Sequence, residues 1–187
     1  MKKIIVSNMI SADGLFAGPG GDLSAFRMDN GLFSPMVGLF DRVDTILLGR
    51  QTYQFFAAYW PNQTRETDPA ADLMNQAAKV VYTNTLEKAP WGEYKEATII
   101  KGDIAGSVKK LKEGPGEDIV VFGSGQLTSA LAEADLVDEY RFILNPVILG
   151  KGQSMFEQLT AKRPLKLTAV TTLNTGIIFL DYERDRS

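Results

Sequence analysis

The chain has 187 residues, 44% hydrophobic and 23% charged, with a net charge of −3; that is enough for one domain burying about 70% of its unfolded surface. No basic run or stripe exists, so no nucleic-acid partner is expected, and the longest apolar stretches are strand-sized, far short of the ~20 residues that span a membrane. With 0 cysteines and 0 histidines, disulfides, thiolate nucleophiles, Cys/His zinc sites and Ser-His-Asp triads are excluded, which leaves carboxylates, Lys, Arg, Tyr, hydroxyls, a hard metal ion or an organic cofactor.

Residues 3–10 read as a buried strand. Ser7 and Asn8 interrupt the apolar run after Lys2 and Lys3, so no signal-peptide core forms and a cytoplasmic protein is expected. The strand runs into Ser11-Ala12-Asp13-Gly14. Asp13 stands at the strand exit, where α/β sheets place ligands, or it makes a turn with Gly14. The glycine-rich stretch Gly18-Pro19-Gly20-Gly21 leads to Asp22 as a lid or a plain surface loop. A helix is expected from Asn30 to Phe40, against Gly31, Pro35 and Gly38.

Val43 to Gly49 is a second strand that passes directly into a helix starting at Arg50. Arg50 brings a fixed cation and Thr52 a hydroxyl. A guanidinium suits phosphate through its planar fork, and it equally suits a surface ion pair. The aromatic residues Tyr53, Phe55, Phe56, Tyr59 and Trp60 read as core or subunit interface. A short helix is expected over Ala70–Ala78 and a third strand over Lys79–Thr83. Thr83-Asn84-Thr85 at its end can bond a ligand or close the turn. Ala97 to Ile100 is a short strand, and Asp103 caps a helix that Gly114-Pro115-Gly116 stops.

The chain is organised around Asp118 to Leu127. An apolar run, Ile119 to Phe122, ends in Gly123-Ser124-Gly125, and a helical pattern with Leu127, Ala130, Leu131 and Ala134 on one face follows at once. Such a strand-to-helix turn aims backbone N–H groups and a helix N-terminus at one point, an anion site whose usual occupant is phosphate. A tight turn that holds nothing has the same sequence. Gly123-x-Gly125 is not the dinucleotide fingerprint, because Thr128 occupies the third glycine position. Ser124 also lacks the G-x-S-x-G context of a hydrolase.

Leu136 to Leu144 is expected as a strand, and a short helix from Met155 to Leu159. Leu165–Leu173 and Ile177–Glu183 flank the hairpin signal Asn174-Thr175-Gly176. Strands alternating with helices and closing in a hairpin give an α/β fold, a mostly parallel sheet with an antiparallel edge. No repeat or linker appears, and one domain over residues 1–187 is expected.

In order, the chain carries Ser11-x-Asp13-Gly14, Leu48-Gly49-Arg50-x-Thr52-Tyr53 and Val81-x-Thr83-Asn84. Val120-Val121-Phe122-Gly123-Ser124-Gly125-x-Leu127, Leu136-Val137-Asp138-Glu139 and Asn145-Pro146-Val147-Ile148-Leu149-Gly150-x-Gly152 follow. This series resembles the dihydrofolate-reductase-like family, closest to the pyrimidine reductase (RibD C-terminal) domain of riboflavin biosynthesis. The resemblance implies a three-layer mixed sheet that binds NADPH across its strand ends. Gly49, Arg50 and Thr52 would hold cofactor phosphates. Thr83 and Asn84 would lie by the adenosine ribose and its 2′-phosphate. Gly123, Ser124, Gly125, Gln126 and Leu127 would wrap the pyrophosphate. Ser11, Asp13 and Gly14 would face nicotinamide and substrate, with Asp13 as the catalytic candidate. A homodimer is implied, and no ligand cluster in the sequence suggests a metal.

Two departures bear on the substrate. The riboflavin reductases carry an acid directly before the paired glycines, where this chain has Phe122, and Ser124 replaces their second glycine. The acid that dihydrofolate reductases place in the first helix has only Asp22, Asp29 and Asp41 as candidates. The expected function is an NADPH-dependent reductase delivering hydride to a small heterocycle. The substrate would be a 5-amino-6-ribosylaminouracil-like pyrimidine or a pteridine related to dihydrofolate. The alternative is a diverged nucleotide-binding module without reductase activity.

Overall fold

The computed structural model describes residues 1–28 and 38–186. They build a sheet of eight strands: β1 (Ile4–Ile10), β3 (Val43–Gly49), β4 (Ala78–Tyr82), β5 (Thr98–Ile100), β6 (Asp118–Phe122), β7 (Glu139–Leu144), β9 (Leu165–Thr172) and β10 (Ile178–Arg184). The order across it is β5-β4-β3-β6-β1-β7-β10-β9. Every pairing from β5 to β7 is parallel, and β10 pairs antiparallel with β7 and β9. Two short strands, β2 (Leu15–Ala17) and β8 (Gln153–Ser154), form a separate antiparallel flap.

Alternation along the buried strands sends side chains to two cores. On one face, Ile4, Val6, Leu47, Ile119 and Val121 pack with Val108 of α3 (Ile104–Glu113) and with Leu127 and Leu131 of α4 (Gly125–Glu133). On the other, Ile5, Ile46, Leu48, Val81 and Val120 pack with Tyr53 of α1 (Arg50–Tyr59) and Met74 of α2 (Ala71–Gln76). Asp103 caps α3 by accepting the Gly106 N–H at 3.0 Å. The three-layer, mixed α/β architecture is the one expected.

Several expectations change in detail. Strand β7 starts at Glu139, not Leu136, because the Leu136 N–H closes the end of α4 on the Leu131 carbonyl at 3.0 Å. Residues 155–158 form turns where a helix was expected, because Gln153–Ser154 is drawn into the flap as β8. Pro19–Gly21 is a tight 3₁₀ turn closed by the Gly18 N–H on the Asp22 carbonyl at 2.7 Å. Tyr53 is buried with its hydroxyl on the Pro90 carbonyl at 2.7 Å, whereas Phe55 and Tyr59 are exposed. Of the helix expected over Asn30–Phe40, residues 38–40 are helical; the rest, like Asp29, lies outside the described residues.

Candidate functional site

The parallel strands end along one edge, at Ile10, Gly49, Tyr82, Ile100, Phe122 and Leu144. Neighbouring strands β3 and β6 leave that edge in opposite senses. From β3 the chain runs through α1 towards β4, and from β6 it runs through α4 over β1 to β7. The two helices start on opposite faces of the sheet. This reversal is the topological switch point at which open α/β sheets bind ligands.

The helix starts interlock there. A Cβ on Gly123, at φ +62°, would lie 2.5 Å from Thr52 Oγ1, and a Cβ on Gly49 would overlap the Ser124 side chain. Both positions therefore need glycine for contact between the two turns. Ser124 stands in the left-handed region, at φ 49°, and its hydroxyl caps α4 by accepting the Leu127 N–H at 3.4 Å. The Gly123 N–H donates to Asn8 Oδ1 at 2.6 Å, and the Gly123 carbonyl accepts from the Thr128 hydroxyl at 3.3 Å. What remains open, among the described residues, are the N–H groups of Ser124, Gly125 and Gln126. Arg50 at the start of α1 is exposed and makes no hydrogen bond or ion pair with another described residue. Two helix N-termini, three open N–H donors and a free guanidinium make this corner attractive to an anion.

Thr83 and Asn84 stand at the end of β4 on the same edge, but their side chains are engaged. The buried Thr83 hydroxyl accepts the Thr85 and Leu86 N–H groups at 3.2 and 3.3 Å, and Asn84 Oδ1 accepts the Gly102 N–H at 2.9 Å. The Thr83 bonds close the turn after β4, and the Asn84 bond ties that turn to the end of β5.

Beyond β1, Ser11 Oγ donates to Asp13 Oδ1 at 2.6 Å and accepts the Leu15 N–H at 3.0 Å. The two carboxylate oxygens of Asp13 also accept the Leu149 and Gly150 N–H groups, at 3.1 and 2.7 Å. The Ser11 hydroxyl and these two amides lower the Asp13 pKa to about 2. Gly14, at φ +81°, turns the chain back into β2. Asp13 thus joins the end of β1 to the loop 145–152.

Sequence reasoning gave no role to two residues of this edge. Asn8 holds the Gly123 turn, and its only signal was a polar residue breaking an apolar strand. Asn145, fully buried at the end of β7, accepts the Arg27 N–H on Oδ1 at 2.8 Å, and its Nδ2 has no partner. Phe122 is buried, with its ring 6.3 Å from Phe40 and 6.1 Å from Phe56. Of the candidate acids, Asp22 accepts the Ser24 N–H at 2.9 Å, and Asp41 is exposed. Among the described residues no group of His, Cys, Asp or Glu is placed to hold a metal, and no helix is long and apolar enough to cross a membrane.

Comparisons with known proteins agree with this architecture. The chain is 29% identical over 186 residues to the uncharacterized protein YyaP of Bacillus subtilis (strain 168), covering 97% of this chain and 94% of that one. A riboflavin-biosynthesis-type protein of Shewanella sp. PV-4 superposes with a TM-score of 0.78 at 21% identity, covering 98% and 99% of the two chains. The dihydrofolate reductase of Enterococcus faecalis, solved with NADP(H), superposes with a TM-score of 0.66 at 11% identity, covering 98% and 96%. These structures share the fold. The profile of the RibD C-terminal domain matches residues 2–179, and the chain belongs to that family.

Proposed function

We propose that the protein is an NADPH-dependent reductase acting on a small heterocycle, of the pyrimidine or pteridine kind. The observation that carries this reading is that the starts of α1 and α4 meet at the switch point, Gly49 against Ser124, with three unbonded N–H groups at the start of α4 and the unpaired Arg50 as the first residue of α1. The donor set fits a dinucleotide pyrophosphate with an additional phosphate near Arg50. NADPH, when bound, supplies the hydride.

The chain's own residues bind, orient and shield. Ser124, Gly125 and Gln126 offer N–H groups to the pyrophosphate, and Arg50 supplies charge. Asp13 holds the loop 145–152 against the end of β1 through Leu149 and Gly150. Its carboxyl group is ionised down to about pH 2, so it has no proton to give near neutrality. It serves this reading as an anchor and as a fixed negative charge beside the substrate.

The test is a calorimetric titration with NADPH and NADH, on the wild type and Arg50→Ala. Micromolar NADPH binding, weakened about tenfold or more by Arg50→Ala and weaker for NADH, is expected. Binding of neither nucleotide would sink the reading.

A second reading, a nucleotide-binding module without reductase activity, is favoured by Phe122, whose ring fills the place of the family's acid within an aromatic cluster. Any measurable NADPH oxidation with a pyrimidine or pteridine acceptor ends it. A homodimer belongs to the leading reading. The bulge in β9 sets Leu167 and Val170, 49% and 52% exposed, beside Tyr182 and Leu180 of β10 on an open stretch of sheet. A purely monomeric species in sedimentation velocity excludes it.

A further inference from the structure

We infer that Asn8 is the positioning residue of the cofactor turn, and that dinucleotide affinity depends on its carboxamide. The inference rests on the cofactor reading above. Asn8 lies in β1 between β6 and β7, 6% exposed, on the sheet face of Ile4 and Val6. Both ends of its carboxamide are engaged. Oδ1 accepts the Gly123 N–H at 2.6 Å, and Nδ2 donates to Met155 Sδ at 3.3 Å.

The first bond decides which donors remain for a ligand. With its N–H on Asn8 and its carbonyl on Thr128, Gly123 is fixed at both polar groups. The chain then passes through two successive positive φ angles, 62° and 49°, before α4 begins. Those angles set the three open N–H groups. Without the carboxamide oxygen, Gly123 would keep a part-buried donor with no acceptor, and the turn would rotate to hydrate it.

The second bond ties the same turn to the β2–β8 flap. Met155 follows Ser154, whose carbonyl lies 3.4 Å from where a Cβ on Gly125 would stand, and the Phe16 ring lies 2.7 Å from that point. Asn8 therefore reaches the first turn of α4 from the strand below and from the flap beside it. This task needs an acceptor and a donor on one short planar group, which asparagine provides.

Two variants separate this role from simple packing. Asn8→Leu keeps the branched outline of the side chain and loses both polar functions. Asn8→Asp keeps the acceptor and loses the donor. Deuterium exchange of the Gly123 amide, followed by NMR without ligand, and calorimetric NADPH affinity are the readouts. For Asn8→Leu, Gly123 exchange is expected to speed up at least tenfold, with the Ile4 and Leu131 amides unchanged, and the NADPH Kd to rise about tenfold. Asn8→Asp retains the protection of Gly123. Where Asn8→Leu fails to fold, Asn8→Ala replaces it. Unchanged Gly123 exchange in the Leu or Ala variant overturns the inference, as does faster exchange with unchanged NADPH affinity. A wild type that binds no NADPH removes the proposed function and the affinity half of this inference. The exchange measurement still decides whether Asn8 sets the turn.

Discussion

Gly49 and Ser124 meet across the switch point, so closely that a Cβ on Gly49 would fall 2.6 Å from the Ser124 Cβ. Neither turn can shift freely, since Gly123 is pressed against Thr52 in the same way. Gly49→Ala is expected to destabilise the fold by about 1–3 kcal/mol, the usual cost of overpacking. Ser124→Gly removes the obstructing side chain and relieves a left-handed φ of 49°, at the loss of a cap to Leu127. The double variant should therefore recover most of the loss. Urea unfolding of the four proteins in a double-mutant cycle checks this. Additive losses would mean that the two turns do not press on one another.

Asp13 yields a pH prediction. Its pKa falls from 3.8 unfolded to about 2 in the fold. A depressed carboxylate contributes stability that is present above pH ~4 and is lost as pH falls towards 2. Asp13→Ala should therefore be less stable than the wild type at pH 6, and the difference should close between pH 4 and 2. The loop 145–152 loses its anchor as well, so limited proteolysis should cut there faster in the variant. A difference that persists unchanged at pH 2 would assign the effect to packing.

The fold was legible because its core strands are short β-branched runs, and their ends carry glycines. Gly49 and Gly123 to Gly125 mark both helix starts in the sequence itself. What sequence could not show was the spending of polar groups. Thr83 and Asn84 read as ligand contacts or as turn closure; the Thr83 bonds to Thr85 and Leu86 close the turn, and the Asn84 bond ties it to Gly102 beyond β5. Asn8 pairs with a residue 115 positions away, and no local pattern encodes that distance. The flap was missed for a related reason. Gln153–Ser154 has no strand periodicity and pairs only because Leu15–Ala17 lies opposite. Asp138 and Glu139, side by side in sequence, anchor the opposite edge: Asp138 accepts from the Ile4 N–H and Lys112, and Glu139 pairs with Arg42 and Lys3.

Lys79 is a buried ammonium, 5% exposed, that bonds the Asn75 carbonyl and lies 4.8 Å from the centre of the Trp91 ring. Burial lowers its pKa from 10.5 to about 8. Below pH 8 the fold carries the full cost of the buried charge. As pH rises from 8 to 10.5 the folded state gives up its proton first, and the cost fades. Lys79→Met should therefore stabilise the protein near pH 7 by roughly 1–3 kcal/mol, less the lost bond to Asn75. That advantage should shrink towards pH 10. Thermal unfolding of both proteins across this range decides it. An advantage that grows with pH would contradict a buried charge.

Phe122 occupies the position where the resemblance leads one to expect an acid, and its ring is built into the aromatic cluster with Phe40 and Phe56. A glutamate there would bring a carboxyl group into apolar surroundings at the end of β6. Burial raises its pKa, so the penalty is largest above that raised value and fades as pH falls towards the ordinary carboxylate range. Phe122→Glu is expected to lose about 2–4 kcal/mol at pH 8 and clearly less at pH 5. On this argument the variant gains no pyrimidine reduction, since the ring packs with Phe40 and Phe56 beside the Gly123 turn and its replacement unpacks that core. A variant that melts like the wild type at pH 8 would show that the strand end admits an ionised carboxylate from this position. In that case Phe122 would mark a change of substrate on an otherwise intact reductase frame, and assays of the variant on pyrimidine acceptors would become the informative ones.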